Sequence, residues 1–560
     1  MSALTTVLVG LVVLPSVTGA VLLGTGRPAD RGAFPLGIGV AVVTLGLAVA
    51  AALGRPELSG GFLAGIPAGL RVDGLSAVLV LTVTAVLPAV LVFAAGDLPR
   101  DGTRARFVGL MLLFAAAMLV TVTATTLLTL LMAWEVMGAT SYALIGFRWH
   151  ETRRATSGAV AFLTTRAADL GLYVAAGAAL AGGAGGLSLD ALARLPPGWV
   201  DVATAGVVLS ALGKSAQLPF SFWLSRAMDG PSPVSAMLHS ATMVAAGAYL
   251  LLRLHPLLSA TGWATTLVVW AGAATALVLG AVAVVQPELK QLLAASTCAQ
   301  IGFMVVAAGA GGVTAGAAHL VAHAATKSLL FLAAGAWLTV VGTERLTALR
   351  GVGGRWPVVG TTFVVGAAAL AGLAPLSLWA TKDRILAAAL HTSTPLYLTG
   401  LAATAVSAAY ASRAAVFVLG RPTPRTDTAG VSTGDGSSAD TGFPAETGAG
   451  HPPAPGETMR PALQAPLVPL AAAAAGLGML AVPAVWSAFS GFTATGGVGS
   501  TPRWWEYLAS ALLALGAVGA VAVVVRRIGD LPGQARLADW LGLERAAFHG
   551  IATPVLRGAR

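Results

Sequence analysis

The stretch HLVAHAATKSLLFLAAG, His319 to Gly335, decides how this chain is read. It sets two histidines and a lysine at i, i+4 and i+8 in a run dominated by Ala, Val, Leu and Phe. Four residues overshoot a 3.6-residue turn, so each step drifts only about 40° around a helix. His319, His323 and Lys327 therefore form a polar stripe roughly 12 Å long on one helix face. In water such a stripe costs little. In a bilayer it is expensive, and an expensive stripe that persists is in use.

Composition puts the stripe in a bilayer. Apolar residues make up 56% of the chain and charged residues 10%, with a mean hydropathy of +0.82. A soluble domain carries about a quarter charged residues, so this chain has too few for a water-facing surface. Apolar windows of about 20 residues, enough to cross the hydrocarbon, recur from end to end. The net charge of +10 is scattered through short loops. That pattern orients membrane proteins and gives no reason to expect a nucleic-acid partner. One cysteine, Cys298, excludes a disulfide framework and cysteine-ligated Fe–S clusters within the chain.

Working outward, about 15 transmembrane helices are expected. Residues 1–100 hold the N-terminal helices, and a cleaved signal peptide is disfavoured at 3–23 because the basic n-region is missing. Residues 107–147 carry one charge, Glu135, and are long enough for two helices with a tight turn. Residues 421–461 are rich in Gly, Pro, Ser and Thr and are expected to form a disordered linker. Helices return over 462–530. The basic tail 531–560 is partly amphipathic and suited to the membrane interface.

The ionisable residues well inside apolar spans are Glu135, Lys214, His239, His319, His323, Lys327 and Lys382, with Asp383 beside the last. Each is costly against lipid, so they are expected to face the interior or a hydrated path. Desolvation can bring lysine and histidine into the range where a proton carrier works. Arg166 and Asp169, at i, i+3, read as an ion pair on one helix face. His239 also suits a core histidine bonded to a serine or carbonyl, and Lys290 a charge at a helix end. His319 and His323 as a metal pair lack a third ligand nearby. Lys214 precedes Pro219 and Lys382 follows Pro375. Proline breaks helices, and broken helices in two halves are a signature of inverted-repeat transporters.

The motifs AWEVMGATSYALIGF, GKSAQLPFSFWLSRAMDGPSPVSAMLHSATMVAAGAYLL, LKQLLAASTCAQIGFM and HLVAHAATKSLLFLAAG resemble the antiporter-like subunits of respiratory complex I. The L-type subunit (the counterpart of mitochondrial NADH dehydrogenase subunit 5) is the best match. The same core occurs in Mrp-type cation/proton antiporters and in a membrane subunit of an inorganic-carbon accumulation complex. The resemblance covers about 71–420. It implies an all-α polytopic protein with two inverted five-helix halves, 101–256 and 257–420, each with a broken helix.

It also implies a proton path. Glu135 is the carboxylate paired with Lys214, and Arg166 and Asp169 are the neighbouring ion pair. His239, His319 and His323 connect, Lys327 is the central lysine, and Lys382 with Asp383 ends the series. Quinone, NADH, FMN and Fe–S centres would belong to partner subunits of a complex I. The expected setting is a bacterial inner (plasma) membrane, among other membrane subunits, with protons as cargo and sodium as a candidate second ion. DWLGLERAAFHGIATPVLRGAR resembles the lead-in to the L-type lateral helix, but few residues follow. This favours a shorter assembly or a paralogue, with an ordinary complex I role still open. A non-transporting structural subunit is the rival of another class, and buried lysines argue against it.

Overall fold

The computed structural model describes residues 2–63, 65–421, 458–495, 501–528 and 535–552. Most of the expected linker, and the end of the tail, lie outside the described residues. Among the described residues, thirteen helices are long and apolar enough to cross a membrane. The shortfall from fifteen falls on two interrupted helices. Trp199–Lys214 and Phe222–Ala227 have 16 and 6 residues, and Pro357–Ala371 and Ser377–Thr392 have 15 and 16. Each piece is shorter than the roughly 20 residues a crossing needs.

Two groups of five helices carry the breaks. The first is Arg104–Thr123, Leu127–Ile145, Thr152–Ala181, the broken pair, and Ser232–Arg253. The second is Trp263–Val285, Leu289–Gly309, Val313–Val341, the other broken pair, and Thr394–Leu419. In both, the fourth helix is the broken one. Five is an odd number of crossings, so the second group starts on the opposite side of the membrane and runs inverted. Leu289–Gly309 and the 232–253 segment are buried over almost their whole length and form the centre. Ala3–Thr25 and Trp504–Ile528 stay mostly exposed at the edge.

Local chemistry sets the ends. Asp73 accepts from the Ser76 amide at 2.9 Å, and the Ser76 hydroxyl closes the capping box of Gly74–Asp97. Arg253 reaches the same carboxylate at 3.0 Å, tying the end of the first five helices to this cap. Burial alone would raise the Asp73 carboxyl, but the hydrogen bonds and charge of Arg253, with help from Ser76, bring it down to about 2. Thr126 caps Leu127–Ile145, and the turn before it is short, as expected. Pro357–Ala371 stops at Gly372, whose φ of 76° is the left-handed C-cap that glycine adopts without penalty. Pro375 follows within the break. The first break, at 215–221, holds Ala216 at φ 52° and Pro219.

One element departs from the all-α expectation. GRPELSGGFLAGIPAGLRVD folds as an antiparallel hairpin, Glu57–Leu63 with Ile66–Arg71, in a register that pairs Glu57 with Arg71 and Leu58 with Leu70. Its glycines masked the alternation that would have marked a strand. The apolar run near 464–488 is also not one helix. It is Leu467–Gly476, a 3-10 stretch and Pro483–Thr493, with Pro483 starting the last piece.

Glycine lets the central helices touch. A Cβ on Gly302 would lie 2.6 Å from the Gly272 carbonyl oxygen, and one on Gly272 would lie 2.6 Å from that of Gly302. Helices Trp263–Val285 and Leu289–Gly309 therefore meet backbone to backbone. Gly302→Leu should force them apart, and overpacking of this kind costs about 1–3 kcal/mol or more. A thermal scan of the purified protein checks this. Gly177→Ala is the control, because nothing lies within 4 Å of that position.

Candidate functional site: a buried row of lysines and histidines

Helices Leu127–Ile145, Thr152–Ala181 and Trp199–Lys214 meet at Lys214. This is the last residue before the first break, where the negative end of the helix dipole favours a cation. Lys214 Nζ donates to Asp169 Oδ2 at 2.9 Å, and both side chains are almost fully buried. Asp169 Oδ1 also accepts from Trp134 Nε1 at 2.7 Å and Ser210 Oγ at 3.1 Å. The ammonium lies 5.0 Å from the Trp134 ring centroid. Every strong acceptor of the carboxylate is thus engaged, as a buried ion pair requires.

This corrects the expected pairing. Glu135 bonds Arg166, not Lys214, and accepts from Tyr173 Oη at 2.9 Å. Arg166 and Asp169 do not pair with each other, because each has a closer partner on another helix. The Glu135–Arg166–Tyr173 group is partly exposed, with Arg166 at 35% and Glu135 at 28%. Its neighbours Val136, Leu163, Leu170 and Val174 are exposed apolar side chains. A charged trio therefore sits on an apolar outer face.

The first break is tied to the second half. Gln217 Nε2 donates to the Cys298 carbonyl at 3.3 Å, and the Leu218 amide to Thr275 Oγ1 at 3.2 Å. Beyond the break, His239 interrupts the 232–253 segment. Its ring lies 6.1 Å from Trp223 and 6.5 Å from Phe331, and neither ring nitrogen has a protein partner. The bonded core histidine considered from sequence is therefore absent. Lys290 is more than an end charge: it is buried and donates to the carbonyls of Met228 at 2.8 Å and Gly230 at 3.2 Å, with Glu344 at 3.2 Å.

The stripe on Val313–Val341 is fully buried at all three positions. Lys327 Nζ donates to the Leu293 carbonyl at 2.9 Å and to Ser296 Oγ. Thr297 donates to the same carbonyl at 2.8 Å. Among the described residues no carboxylate lies within 4 Å of this ammonium. Among the described residues neither His323 nitrogen makes a well-formed hydrogen bond, although the His239 backbone stands beside the ring. His319 Nδ1 lies 2.9 Å from Thr381 Oγ1 on Ser377–Thr392, beyond the second break.

Lys382 sits one residue further on. Its Nζ donates to the Leu370 carbonyl at 3.2 Å, in the last turn before Gly372, where the helix stops and its final carbonyls lose their intrahelical donors. The Phe303 ring lies 5.5 Å away. Asp383 turns aside, because consecutive helical residues point about 100° apart. It accepts from Ser510 Oγ at 2.7 Å on the C-terminal helix Trp504–Ile528.

The structure thus brings together Asp169 with Lys214, Lys327 with helix Leu289–Gly309, and His319 with the Lys382 helix. It sets Glu135 apart from Lys214. Trp134, Tyr173, Ser210, Ser296, Thr381 and Ser510 were not singled out from sequence. Only Tyr173 carried a signal there, two helical turns after Arg166.

Residues 124–407 match the family described as NADH:quinone oxidoreductase/Mrp antiporter, transmembrane, and so span both breaks and the stripe. The chain belongs to this family. It is 37% identical over 402 residues to NADH-quinone oxidoreductase subunit L of Mycobacterium tuberculosis, covering 68% of this chain and 63% of that one. To the chloroplastic NAD(P)H-quinone oxidoreductase subunit 5 of Zygnema circumcarinatum it is 37% identical over 342 residues, 58% and 49% of the two chains. The chain spans about half to two thirds of the length of these curated relatives. Among solved structures, the Mrp complex of Dietzia sp. aligns over 100% of this chain and 60% of that chain, at TM-score 0.81 and 25% identity. Respiratory complex I of Thermus thermophilus aligns over 84% and 97%, at TM-score 0.67 and 24% identity, and shares the fold. Family membership and thirteen apolar helices make this a multi-pass membrane protein.

Proposed function

We propose that this chain is a proton-translocating membrane subunit of a complex I-like or Mrp-like assembly. One observation supports the reading: Lys214, His239, His319, His323, Lys327 and Lys382 are all buried, with Asp169 bound to Lys214 and His319 beside Thr381 on the Lys382 helix, and we read them as one proton row across both halves. A fully buried amine without a carboxylate partner is costly as ammonium, so Lys327 is poised to change protonation when the field around it changes. The amine form accepts a proton from one neighbour and the ammonium form gives it to the next. Histidine nitrogens with no protein partner can take either role along the way.

The field has two sources at the Lys214 end. Asp169 holds the Lys214 ammonium directly, and Glu135 would act at longer range, from the residue next to Trp134, whose indole bonds Asp169. A shift of the Glu135–Arg166–Tyr173 group would change the balance at Asp169–Lys214. Because that charged group sits on an apolar outer face, it would be covered by another membrane subunit rather than lipid. A redox step, if the parent assembly has one, belongs to partner subunits holding NADH, FMN, Fe–S or quinone sites.

Cation/proton antiport is the second reading. The alignment of the whole of this chain with 60% of the Dietzia Mrp chain favours it, with sodium as the candidate second ion. Proton movement in proteoliposomes of the natively purified complex tests both. Lys214→Met and Lys327→Met should abolish it, and sodium dependence would select the antiporter reading. Undiminished movement in both variants would leave a structural subunit as the answer.

A further inference from the structure

The family match ends at residue 407, and the C-terminal helix Trp504–Ile528 lies beyond it. Most of this helix is apolar and outward, with Trp504, Leu508, Leu512 and Leu515 exposed. Its inward stripe is Glu506, Ser510 and Ala514, at i, i+4 and i+8. Ser510 on this stripe donates to Asp383 at 2.7 Å. Glu506 stands one turn earlier on the same face, with Cβ atoms roughly 6 Å apart. Its side chain is only 6% exposed, and its Oε2 is buried with no hydrogen-bond partner.

A buried carboxylate oxygen without a donor is costly. The neighbouring cation does not relieve it. Arg384 turns the other way, donating to the Leu480 carbonyl at 3.1 Å and lying 3.8 Å over the Trp486 ring. The remaining ionisable neighbours include Arg503, exposed three residues earlier, whose carbonyl accepts from the Glu506 amide at 3.0 Å, and two phenols, Tyr507 against Trp379 at 5.1 Å and Tyr397 against Trp505 at 6.5 Å. An acidic residue in a first helical turn can serve the helix dipole, but that role does not require an oxygen buried without a donor. Tryptophans in that same turn mark the level of the membrane surface.

We propose that Glu506 is a proton-carrying residue between Lys382 and the membrane surface, acting with Asp383 and Ser510. The proton leaves the Lys382 ammonium, which becomes an amine, and passes through intervening water to an oxygen of Asp383. It then moves to a carboxylate oxygen of Glu506, the Ser510 hydroxyl taking one proton while giving up its own. From Glu506 it exchanges with water at the surface, and the reverse order serves uptake. The C-terminal helix thus becomes part of the transport path as well as a peripheral span.

This rests on the proton-translocating reading, so the test includes Lys327→Met. Proteoliposomes of the natively purified complex, a potassium diffusion potential with valinomycin and an entrapped pH dye report the initial rate of proton movement. Glu506→Gln should cut that rate about fivefold or more, while Glu506→Asp, which keeps the ionisable group, stays within about twofold of the parent. Ser510→Ala should fall between them, and native gels should show equal assembly. A parental rate in Glu506→Gln alongside background in Lys327→Met would overturn the role of Glu506 and leave the wider reading intact. A parental rate in Lys327→Met would overturn both. If Glu506→Gln fails to assemble, and Glu506→Asp restores rate only in proportion to assembled complex, Glu506 is a capping residue and the proposal falls.

Discussion

Lys327→Met should leave the complex assembled and bring proton movement to background, and Lys327→Arg should do the same. Lys327 is fully buried, and its ammonium is held by the Leu293 carbonyl and Ser296 Oγ rather than by a carboxylate. Methionine fills a similar volume without a charge, so the fold keeps its packing and loses a desolvation cost. Arginine keeps the charge but does not deprotonate in proteins. The pair of variants therefore separates a need for positive charge from a need to release a proton. Transport should fall at least about tenfold in both. Transport that survives in Lys327→Arg would make the residue a fixed charge, and the row would no longer be a path for protons.

Asp169→Ala is the second large effect, and it should be structural before it is functional. Removing this carboxylate strands the Lys214 ammonium in a fully buried site, with the Trp134 ring beside it and no second carboxylate among the described residues. Breaking a buried pair from one side costs about 3–5 kcal/mol. Lys214→Met should cost less, because Asp169 would still accept from Trp134 and Ser210. The double variant Asp169→Leu with Lys214→Met removes both charges and should recover much of the thermal stability of the solubilised complex while remaining inactive. A double variant as unstable as Asp169→Ala would mean that the loss lies in packing around Asp169 and not in the stranded charge. The same series checks the correction in pairing. If Glu135 were the partner of Lys214, Glu135→Gln would match Asp169→Ala; with the observed geometry it should be milder, since Glu135 and Arg166 are both partly exposed.

Membrane residence, the broken helices and the polar stripe were legible in the amino-acid sequence because a bilayer makes each of them conspicuous. Apolar runs must reach a set length, proline and glycine interrupt them, and a lysine among alanines and leucines stands out by its cost. His319, His323 and Lys327 were on one face as soon as helix geometry was assumed, and all three are buried. Lys214 and Lys382 were marked by the prolines beside them; Lys214 ends the helix before the first break, and Lys382, inside Ser377–Thr392, reaches back across the second to the Leu370 carbonyl.

What sequence could not supply is the choice of partner, because that depends on how each helix is rotated against its neighbours. Trp134 and Glu135 are adjacent, yet Trp134 turns inward to Asp169 while Glu135 turns outward to Arg166. Lys382, Asp383 and Arg384 are consecutive, and they reach the Leu370 carbonyl, Ser510 and the Leu480 carbonyl on three different elements. The inward face of Trp504–Ile528 was hidden for the same reason, since one glutamate in a first turn reads as a cap. The sequence by itself determined which charges enter the membrane, through the cost of placing them there. Only the tertiary structure decided which of them meet, because a rotation of about 100° per residue separates a paired group from an exposed one.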